Sequence, residues 1–273
     1  MHLIRFAPVG APSADPSSPD ARFALLEGDA VHPIAPQTIA EIDAALRAGD
    51  ALERRGEPLK RADVRLLPPT VPTKIICVGL NYRHHAEEMN KPIPAEPLIF
   101  LKAPTALQAP GAPIELPAQS ELVHHEGELA VVIGRRARHV SPERAMEHVL
   151  GVTCMNDVTA RDIQRREGGR YTRAKGFDTF APCGPSLRVG VDPGALEVTC
   201  RVNGAVRQRS VTSDMIFPVP EVIAFISSIM TLMPGDLIST GTPSGVGELT
   251  DGDVVEVEVS EVGVLRSPVR SAQ

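Results

Sequence analysis

The sequence is poor in aromatic residues and in positive charge, and both shortages limit what the protein can bind. It has no tryptophan among its 273 residues, and aromatic residues make up only 3% of the chain. Acidic residues outnumber basic ones, which gives a formal net charge of -6 and a pI of about 5.8. Since nucleic acids and anionic membrane surfaces attract basic patches, this composition argues against both as partners.

Long hydrophobic segments are missing as well. No apolar run approaches the roughly 20 residues that cross a bilayer, and residues 1–23 contain no signal-peptide hydrophobic region. The four cysteines (Cys77, Cys154, Cys183 and Cys200) are far apart in sequence and form no CxxC pair. This spacing favours buried, reduced thiols over disulfides, so we expect a cytoplasmic protein.

Several motifs that mark common functional sites are absent from the sequence. It contains no HExxH motif or cysteine cluster for zinc, and no GxxxxGK[ST] or GxGxxG loop for phosphate groups. A zinc site and a nucleotide-binding function are therefore disfavoured.

Glycine and proline are abundant, with 22 and 26 residues, and they separate short apolar segments along the chain. Runs such as IICVG and LAVVI predict strands, and Asn203-Gly204 predicts a hairpin turn. Spacing or capping signals predict helices in PQTIAEIDAALRAGD, in SPERAMEHVLG (residues 141–151) and in PEVIAFISSIMTLMPGD. A charged, Pro-rich stretch predicts a boundary between a small N-terminal α+β domain (1–70) and a larger unit (71–273). The predicted fold class is β-rich α+β.

The segment VHHEGELAVVIG carries two carboxylates beside a strongly apolar strand. Glu126 and Glu128 share a face in an extended chain, and that face continues as Ala130 and Val132. The opposite face, Leu129, Val131 and Ile133, is apolar too, so both faces of the strand are predicted to be buried. Two unpaired buried anions would be very unfavourable. A proton, an arginine or a metal ion must neutralise them.

A second Glu-x-Glu pair in the same chain provides a control. Glu256 and Glu258 alternate with Val255, Val257 and Val259, so the valines occupy one face and the glutamates the other. That pattern is typical of a half-exposed strand with a solvated side. The solvated interpretation is preferred there, and not at Glu126 and Glu128.

Asp157 follows the next predicted strand and adds a third carboxylate. Three hard oxygen donors with open positions for water or substrate suit Mg²⁺ or Mn²⁺. From the carboxylates alone, two interpretations stay open: a metal site, or charges paired within the protein.

An ordered set of sequence blocks resembles the fumarylacetoacetate hydrolase family. The blocks are GLNYRHHAEEM, VHHEGELAVVIG, MNDVTARDIQ, RAKGFDTFAPCGP, VTSDMIFPVPEVI and GDLISTGTPSGVG, and their order and spacing match across roughly residues 74–262. The resemblance implies a mixed β-roll or sandwich fold of the family type, a homodimer, and a divalent cation: Mg²⁺, Mn²⁺ or possibly Ca²⁺. It implies Glu126, Glu128 and Asp157 as the metal ligands.

The resemblance also implies the reaction class. Family members cleave or decarboxylate short 2-oxo or 2,4-dioxo acids, and some isomerise or dehydrate related compounds. The blocks are closest to the acylpyruvate hydrolase and oxaloacetate decarboxylase branch. Two alternatives remain open: a 2,4-diketo-3-deoxy-sugar-acid hydrolase, and a 2-hydroxyhepta-2,4-diene-1,7-dioate isomerase/decarboxylase. A non-catalytic dimeric module with a structural cation is the non-enzyme alternative.

Catalytic residues are expected in two blocks. His85 and Glu88 are three residues apart and share a helix face, so the carboxylate can orient the imidazole as a base; an incidental surface pair is the alternative. Lys175 matches the family's active-site lysine, which would stabilise an enolate or hold the substrate carboxylate. His84 and Glu87 face elsewhere and serve as controls.

Substrate-binding residues are expected in two further blocks. By resemblance, Arg161 and Gln164 face the site from the segment after Asp157. Gly241 and Thr242 would offer a backbone N–H and a hydroxyl to a substrate carboxylate. The expected substrate is a small carboxylate, and its distal part is not fixed by any motif.

Overall fold

The computed structural model describes residues 1–10 and 20–272. Its strands are β1 (His2–Pro8), β2 (Arg22–Glu27), β3 (Ala30–Pro33), β4 (Leu59–Lys60), β5 (Val64–Leu67), β6 (Ile75–Gly79), β7 (Leu98–Lys102), β8 (Leu107–Gln108), β9 (Ile114–Leu116), β10 (Val123–His125), β11 (Gly127–Ile133), β12 (Val149–Asn156), β13 (Thr159–Ala160), β14 (Ala181–Arg188), β15 (Glu197–Val202), β16 (Ala205–Val211), β17 (Leu237–Ser239), β18 (Gly247–Glu248), β19 (Val254–Val259) and β20 (Gly263–Ser271). Its α-helices are α1 (Ile39–Ala48), α2 (Arg83–Glu88), α3 (Pro142–Ala145), α4 (Arg161–Arg166), α5 (Thr172–Lys175) and α6 (Val219–Ile229).

Most strands of the described chain belong to two sheets. The larger sheet has the order β4-β3-β2-β1-β14-β12-β11-β17-β6-β7, with β5 paired to β1 and β8 paired to β14. The second has the order β16-β15-β19-β20-β9, and a small third sheet has the order β13-β10-β18. Antiparallel pairs predominate, with parallel pairs at β17–β6, β14–β8 and β20–β9. The predicted β-rich α+β class is confirmed.

Strand β11 is buried on both faces, as its sequence predicts. Leu129, Val131 and Ile133 belong to the core between the two large sheets. Ala130 and Val132 belong to a second core on the other face, which includes Ile42 from α1. Every residue of this strand is buried, so a charged group on it cannot be solvated by bulk water.

The N-terminal strands continue the larger sheet. Strand β1 pairs antiparallel with β14 through His2 and Leu3, and with β2 and β5. A small core of its own, including Phe6, Val31 and Leu66, lies beside it. Residues 1–70 therefore share hydrogen bonds with the larger unit, and the domain boundary near residue 70 stays a prediction.

Local predictions are confirmed in part. The Asn203-Gly204 hairpin joins β15 to β16, with positive φ at both turn residues. The helix predicted over 141–151 is shorter: α3 ends at Ala145, a 3₁₀ turn covers Met146–His148, and Gly151 lies inside β12. A Cβ at Gly151 would lie 2.5 Å from the Arg188 carbonyl oxygen, so this glycine permits close strand packing and does not end a helix.

None of the helices in the described residues is long and apolar enough to cross a membrane.

Candidate active site

Strand register brings three carboxylates together. Gly127 pairs with Asn156 across β11 and β12, and the Asp157 amide donates to the Glu126 carbonyl at 2.8 Å just beyond the strand ends. Glu126 lies between β10 and β11, and Glu128 lies within β11. Ligand oxygens of Glu126, Glu128 and Asp157 all lie within 4.8 Å of one another, and all three residues are buried.

Three buried cations surround this cluster. The Lys175 ammonium donates to Glu126 at 2.9 Å and to Asp157 at 2.5 Å. Lys102, at the end of β7, donates to the other Asp157 oxygen at 2.7 Å. Arg161 forms a short ion pair with the Glu126 carboxylate. Glu126 and Asp157 are therefore each bound by two positive charges.

Glu128 differs from its two neighbours because its partners are neutral. Its carboxylate accepts from the Ser239 hydroxyl at 2.5 Å and from the Gly241 amide at 2.9 Å. Within residues 1–10 and 20–272, no Lys, Arg or His nitrogen lies within 4.0 Å of its carboxylate oxygens. Burial, followed by the charges of Asp157 and Glu126, raises the pKa of Glu128 well above its usual value.

The pKa values of Glu126 and Lys175 shift in the directions that favour their charged forms. Burial opposes ionisation of Glu126, but the charges of Lys175 and Arg161 outweigh it and lower the pKa of this carboxyl. Burial also opposes a charge on Lys175, but Asp157 and Glu126 raise its pKa. In the protein alone, these shifts favour the ionised form of Glu126 and the protonated form of Glu128.

The donor set fits a divalent cation. Three carboxylates within 4.8 Å are hard oxygen ligands of the kind that Mg²⁺ and Mn²⁺ prefer. No cation among the described residues lies beside Glu128, so a bound metal ion would neutralise the carboxylate that these side chains leave unpaired. The sequence analysis left two interpretations open, and this cluster combines them: part of the charge is paired, and part is available to a metal.

A histidine–carboxylate pair lies on α2 beside the cluster. Nδ1 of His85 lies 2.9 Å from the Glu88 carboxylate, and the second oxygen of Glu88 accepts from the Gly245 amide at 2.9 Å. The His85 side chain is 7% exposed. Because the carboxylate accepts the Nδ1 proton, Nε2 is the nitrogen left to accept a proton from a ligand.

The neighbouring His84–Glu87 pair has the same i, i+3 spacing but a different environment. Its side chains are 77% and 74% exposed, with Nδ1 of His84 3.2 Å from Glu87. The structure therefore separates the two pairs as the sequence analysis expected, one in the site and one in solvent.

A cavity of about 330 Å³ connects these groups. Of the residues predicted to be functional, it is lined by His85, Lys175, Glu126, Glu128, Asp157, Arg161, Gln164 and Thr242. Glu88 and Gly241 bond to residues that line the cavity: Glu88 bonds to His85, and the Gly241 amide bonds to Glu128. The structure thus brings the predicted residues to one place.

The substrate-binding residues have partners within the protein. One guanidinium nitrogen of Arg161 donates to Gln164 at 2.6 Å, and its buried Nε has no hydrogen-bond partner in the described chain. The Gly241 amide bonds to Glu128, and the Thr242 hydroxyl donates to the Gly127 carbonyl at 3.0 Å. Arg161 therefore has a donor available to a ligand, whereas Gly241 and Thr242 use theirs to hold the Glu126–Glu128 segment.

The sequence analysis missed an aromatic wall of the cavity. Phe100 and Tyr171 stack with ring centroids 4.4 Å apart, and the Lys175 ammonium lies 4.8 Å from the Phe100 centroid. Ser239, the hydroxyl partner of Glu128, was missed too. The sequence signal for this wall was that aromatic residues are rare: the chain has only nine Phe and Tyr residues, and two of them line this cavity.

Comparisons with known proteins place this site in a family. The family model described as "Fumarylacetoacetate (FAA) hydrolase C-terminal" matches residues 74–270, and the model described as "Rv2993c-like, N-terminal" matches residues 1–69. Protein Rv2993c of Mycobacterium tuberculosis is 46% identical over 93% of this chain and 96% of its own length. The mitochondrial oxaloacetate tautomerase fahd2 of Xenopus laevis is 40% identical over 98% of this chain and 90% of its own length.

A solved structure agrees with these matches. The 2-hydroxyhepta-2,4-diene-1,7-dioate isomerase from Mycobacterium marinum is 43% identical, with a TM-score of 0.84 over 99% of this chain and 98% of its own. Enzymes of this family act on small carboxylates and generally depend on a divalent metal, which fits the carboxylate cluster. The fold, the cluster and the matched length together show that the chain belongs to the fumarylacetoacetate hydrolase family.

Proposed function

We propose that this chain is a divalent-metal-dependent enzyme that enolises a short 2-oxo carboxylate, with Mg²⁺ or Mn²⁺ as the metal. One observation carries the proposal: the three-carboxylate cluster, Lys175 and the His85–Glu88 pair line or adjoin a single cavity. Relatives named as an oxaloacetate tautomerase and a dienedioate isomerase support it, because both names describe a proton that moves next to a carbonyl group.

The metal would be held by Glu126, Glu128 and Asp157. When bound, a divalent cation supplies a Lewis acid that favours the enolate of a 2-oxo acid. The raised pKa of Glu128 opposes metal loading, since a carboxylate binds a hard cation in its ionised form. Ser239 and the Gly241 amide hold that carboxylate in position throughout.

His85 is the proposed base. Glu88 orients the imidazole through Nδ1, and Nε2 accepts the proton from the carbon beside the keto group. The electrons of the broken C–H bond form the carbon–carbon double bond, and the negative charge moves to the keto oxygen. Lys175, which is held between Glu126 and Asp157, stabilises that charge. Return of the proton to oxygen gives the enol, and return to carbon restores the ketone.

Arg161 is the proposed partner of the substrate carboxylate. Its free Nε is buried beside the carboxylate cluster, and Gln164 fixes the orientation of the guanidinium group. Gly241 and Thr242 support the site by holding Glu128 and Gly127, instead of binding the substrate with the same donors.

Carbon–carbon bond cleavage is the second candidate, and the His85–Glu88 pair favours its hydrolytic form. An acylpyruvate hydrolase needs a base that activates water for attack on the distal carbonyl, whereas decarboxylation of oxaloacetate needs no water. The 2,4-diketo-3-deoxy-sugar acids and 2-hydroxyhepta-2,4-diene-1,7-dioate remain alternative substrates. A structural cation in a non-catalytic module would not require a buried base beside it.

Ultraviolet assays with oxaloacetate and acetylpyruvate, side by side, test the proposal. We expect Mg²⁺-dependent acceleration of oxaloacetate enolisation that EDTA abolishes, after subtraction of the rate with free Mg²⁺. Release of pyruvate and CO₂ from oxaloacetate would identify decarboxylation, and release of acetate together with pyruvate from acetylpyruvate would identify hydrolysis. If, for both acids, the rate with protein and Mg²⁺ equals the rate with Mg²⁺ alone, the proposed substrate class is wrong.

We also propose a homodimer in the cytoplasm. The resemblance implies the dimer, and the four cysteines are buried and free, as suits a reducing compartment. Light scattering after size-exclusion chromatography measures the oligomeric state, and a monomeric mass would contradict the dimer.

A further inference from the structure

One side chain of strand β16 is buried although this strand lies at the edge of its sheet. Strand β16 is the outermost strand of the second sheet, and its other residues are exposed or half-buried. Gln208 is the exception, with only 1% of its surface exposed. A buried amide is unfavourable unless its oxygen and nitrogen have hydrogen-bond partners, so the partners of Gln208 indicate what it holds.

The side chain of Gln208 uses its full hydrogen-bonding capacity. Its oxygen accepts from the Gly127 amide and from Nδ1 of His125, both at 3.0 Å. Its nitrogen donates to the Thr242 hydroxyl and to the Pro243 carbonyl, both at 2.7 Å. Because a backbone amide only donates and a carbonyl only accepts, these contacts fix which end of the side chain carries the oxygen.

Two of these bonds belong to a closed hydrogen-bond ring. The Gly127 amide donates to Gln208, Gln208 donates to the Thr242 hydroxyl, and that hydroxyl donates to the Gly127 carbonyl at 3.0 Å. The backbone of β16 packs on the same region, since a Cβ at Gly245 would clash with the Arg207 carbonyl oxygen. Each member of the ring is satisfied, so displacing one segment breaks bonds to the others.

The two segments joined by this ring carry or hold parts of the candidate active site. One is Glu126–Glu128, which contains two of the three clustered carboxylates. The other is the loop of residues 241–245, which follows β17. The amide of its first residue donates to Glu128, and the amide of its last residue donates to Glu88, both at 2.9 Å. Gln208 itself is not part of the cavity lining, so it acts on the backbone around the site.

We infer that Gln208 is a positioning residue of the metal site: it fixes the Glu126–Glu128 segment relative to the 241–245 loop without touching metal or substrate. This inference rests on the proposed function, because it takes the carboxylate cluster to bind a divalent cation. Without the side-chain amide, the Gly127 N–H and the Pro243 carbonyl lose their partners, and both segments shift to find others. The carboxylates are then less well preorganised, so the affinity for a divalent cation falls.

Titration of the metal-free protein with Mn²⁺ tests the inference. Electron paramagnetic resonance measures the free Mn²⁺, so the readout needs no substrate. Gln208→Met is the main variant, because methionine is unbranched, fills a similar space and makes no strong hydrogen bond. We expect this variant to bind Mn²⁺ about tenfold more weakly than the wild type. Val198→Ala, at a core position of the adjacent strand β15, is the matched control and should stay within about twofold.

Thr242→Val breaks the hydrogen-bond ring at a second place. It should weaken Mn²⁺ binding in the same direction but less, because the Gly127 amide and the Pro243 carbonyl keep their bonds to Gln208. The double variant with Gln208→Met should bind Mn²⁺ within about twofold of Gln208→Met alone, since residues of one hydrogen-bond network are not additive. Urea unfolding of each metal-free variant shows that it is folded and how much stability it has lost.

The outcomes separate the inference from the proposed function. Unchanged Mn²⁺ affinity in Gln208→Met, an equal loss in Val198→Ala, or additive losses in the double variant overturns the positioning role. If Gln208→Met does not fold, Thr242→Val decides, and unchanged Mn²⁺ affinity in that variant overturns the role. If the wild type and Glu128→Gln bind Mn²⁺ equally, the proposed metal site itself is wrong.

Discussion

Two Glu-x-Glu motifs in this chain have the same spacing but lie in opposite environments. Glu256 and Glu258 on β19 are 28% and 40% exposed, and they pair with Arg266 at 3.7 Å and Arg201 at 2.6 Å on the adjacent strands. Glu126 and Glu128 are buried in the carboxylate cluster. The spacing alone does not make a site. The decisive difference is whether the strand has one covered face or two.

The two motifs also meet at their middle residues. A Cβ built on Gly127 would lie 2.9 Å from the Cys200 Cβ and 3.3 Å from a methyl group of Val257. Val257 is the middle residue of the exposed motif. The buried valine face of β19 therefore packs against Gly127 of the first motif. The glutamates of β19 lie on the opposite face of that strand, towards solvent.

Neutralising a glutamate in each motif should give the largest contrast. We expect Glu128→Gln to lower kcat/KM by on the order of a thousandfold, because the amide cannot replace a charged ligand of the metal. Glu258→Gln should stay within about twofold, since a surface ion pair contributes little. Steady-state rates with Mg²⁺ measure both, and near-normal activity of Glu128→Gln would disprove its assignment as a ligand.

The two His–Glu pairs on α2 extend the same contrast to a smaller effect. His85→Ala should lower kcat by about a hundredfold or more, which is the usual contribution of a general base. His84→Ala should leave kcat unchanged, because its ring is in solvent. The pH profile is the diagnostic measurement: the limb that reports the base should disappear only in His85→Ala. Equal losses in both variants would exclude His85 as the base.

Changing the middle residue tests how the motifs pack. Gly127→Ala should destabilise the protein by about 1–3 kcal/mol, because the added methyl group meets Cys200 and Val257 at less than contact distance. Urea unfolding of the metal-free protein measures the change. Gly204→Ala, where no atom lies within 4 Å of the added Cβ, separates packing from the loss of a glycine, although its positive φ adds strain. Unchanged stability of Gly127→Ala would show that the two motifs are not in close contact.

The pH dependence of stability is the smallest expected effect when it is counted per pH unit. The pKa of Glu128 is raised by burial and by Asp157 and Glu126, so the folded protein retains a proton that the unfolded chain loses. Stability from this proton is complete below the unfolded pKa of about 4.5, and it falls as pH rises towards the folded pKa, by at most about 1.4 kcal/mol per pH unit. Metal-free Glu128→Gln should therefore gain stability over the wild type as pH rises.

Thermal unfolding at several pH values measures this difference. Glu258→Gln should show no such trend, and Mg²⁺ should reverse the order of wild type and Glu128→Gln, since the metal stabilises only the protein that binds it. A difference that does not vary with pH would show that Glu128 is ionised in the metal-free protein.

The carboxylate cluster could be predicted because its signal is local. Strand alternation shows that the face of Glu128 continues into Ala130 and Val132, and Asp157 follows the end of the neighbouring strand. Ser239 and the Phe100–Tyr171 stack could not be predicted, because long-range pairing brings β17, β7 and the segment before α5 to the site. A residue's own neighbours in sequence do not reveal which strand will lie beside it.

Helix ends were the weaker part of the sequence prediction. Ser141, Pro142 and Gly151 are typical of a helix start and stop, yet α3 ends at Ala145 and Gly151 belongs to β12. Pairing of β12 with β11 and β14 prevails over the local helical preference.

The pairing of β1 with β14 has a consequence for the edge of the larger sheet. Without residues 1–69, β14 would present unpaired amide and carbonyl groups along the segment that now bonds to His2 and Leu3. Such an open edge is a template for another strand, and therefore for aggregation. The N-terminal strands close that side of the sheet and move its exposed end to β4, a strand of two residues, Leu59 and Lys60. A short edge that ends in a lysine is a poor template, so the N-terminal strands protect this sheet against edge-to-edge aggregation.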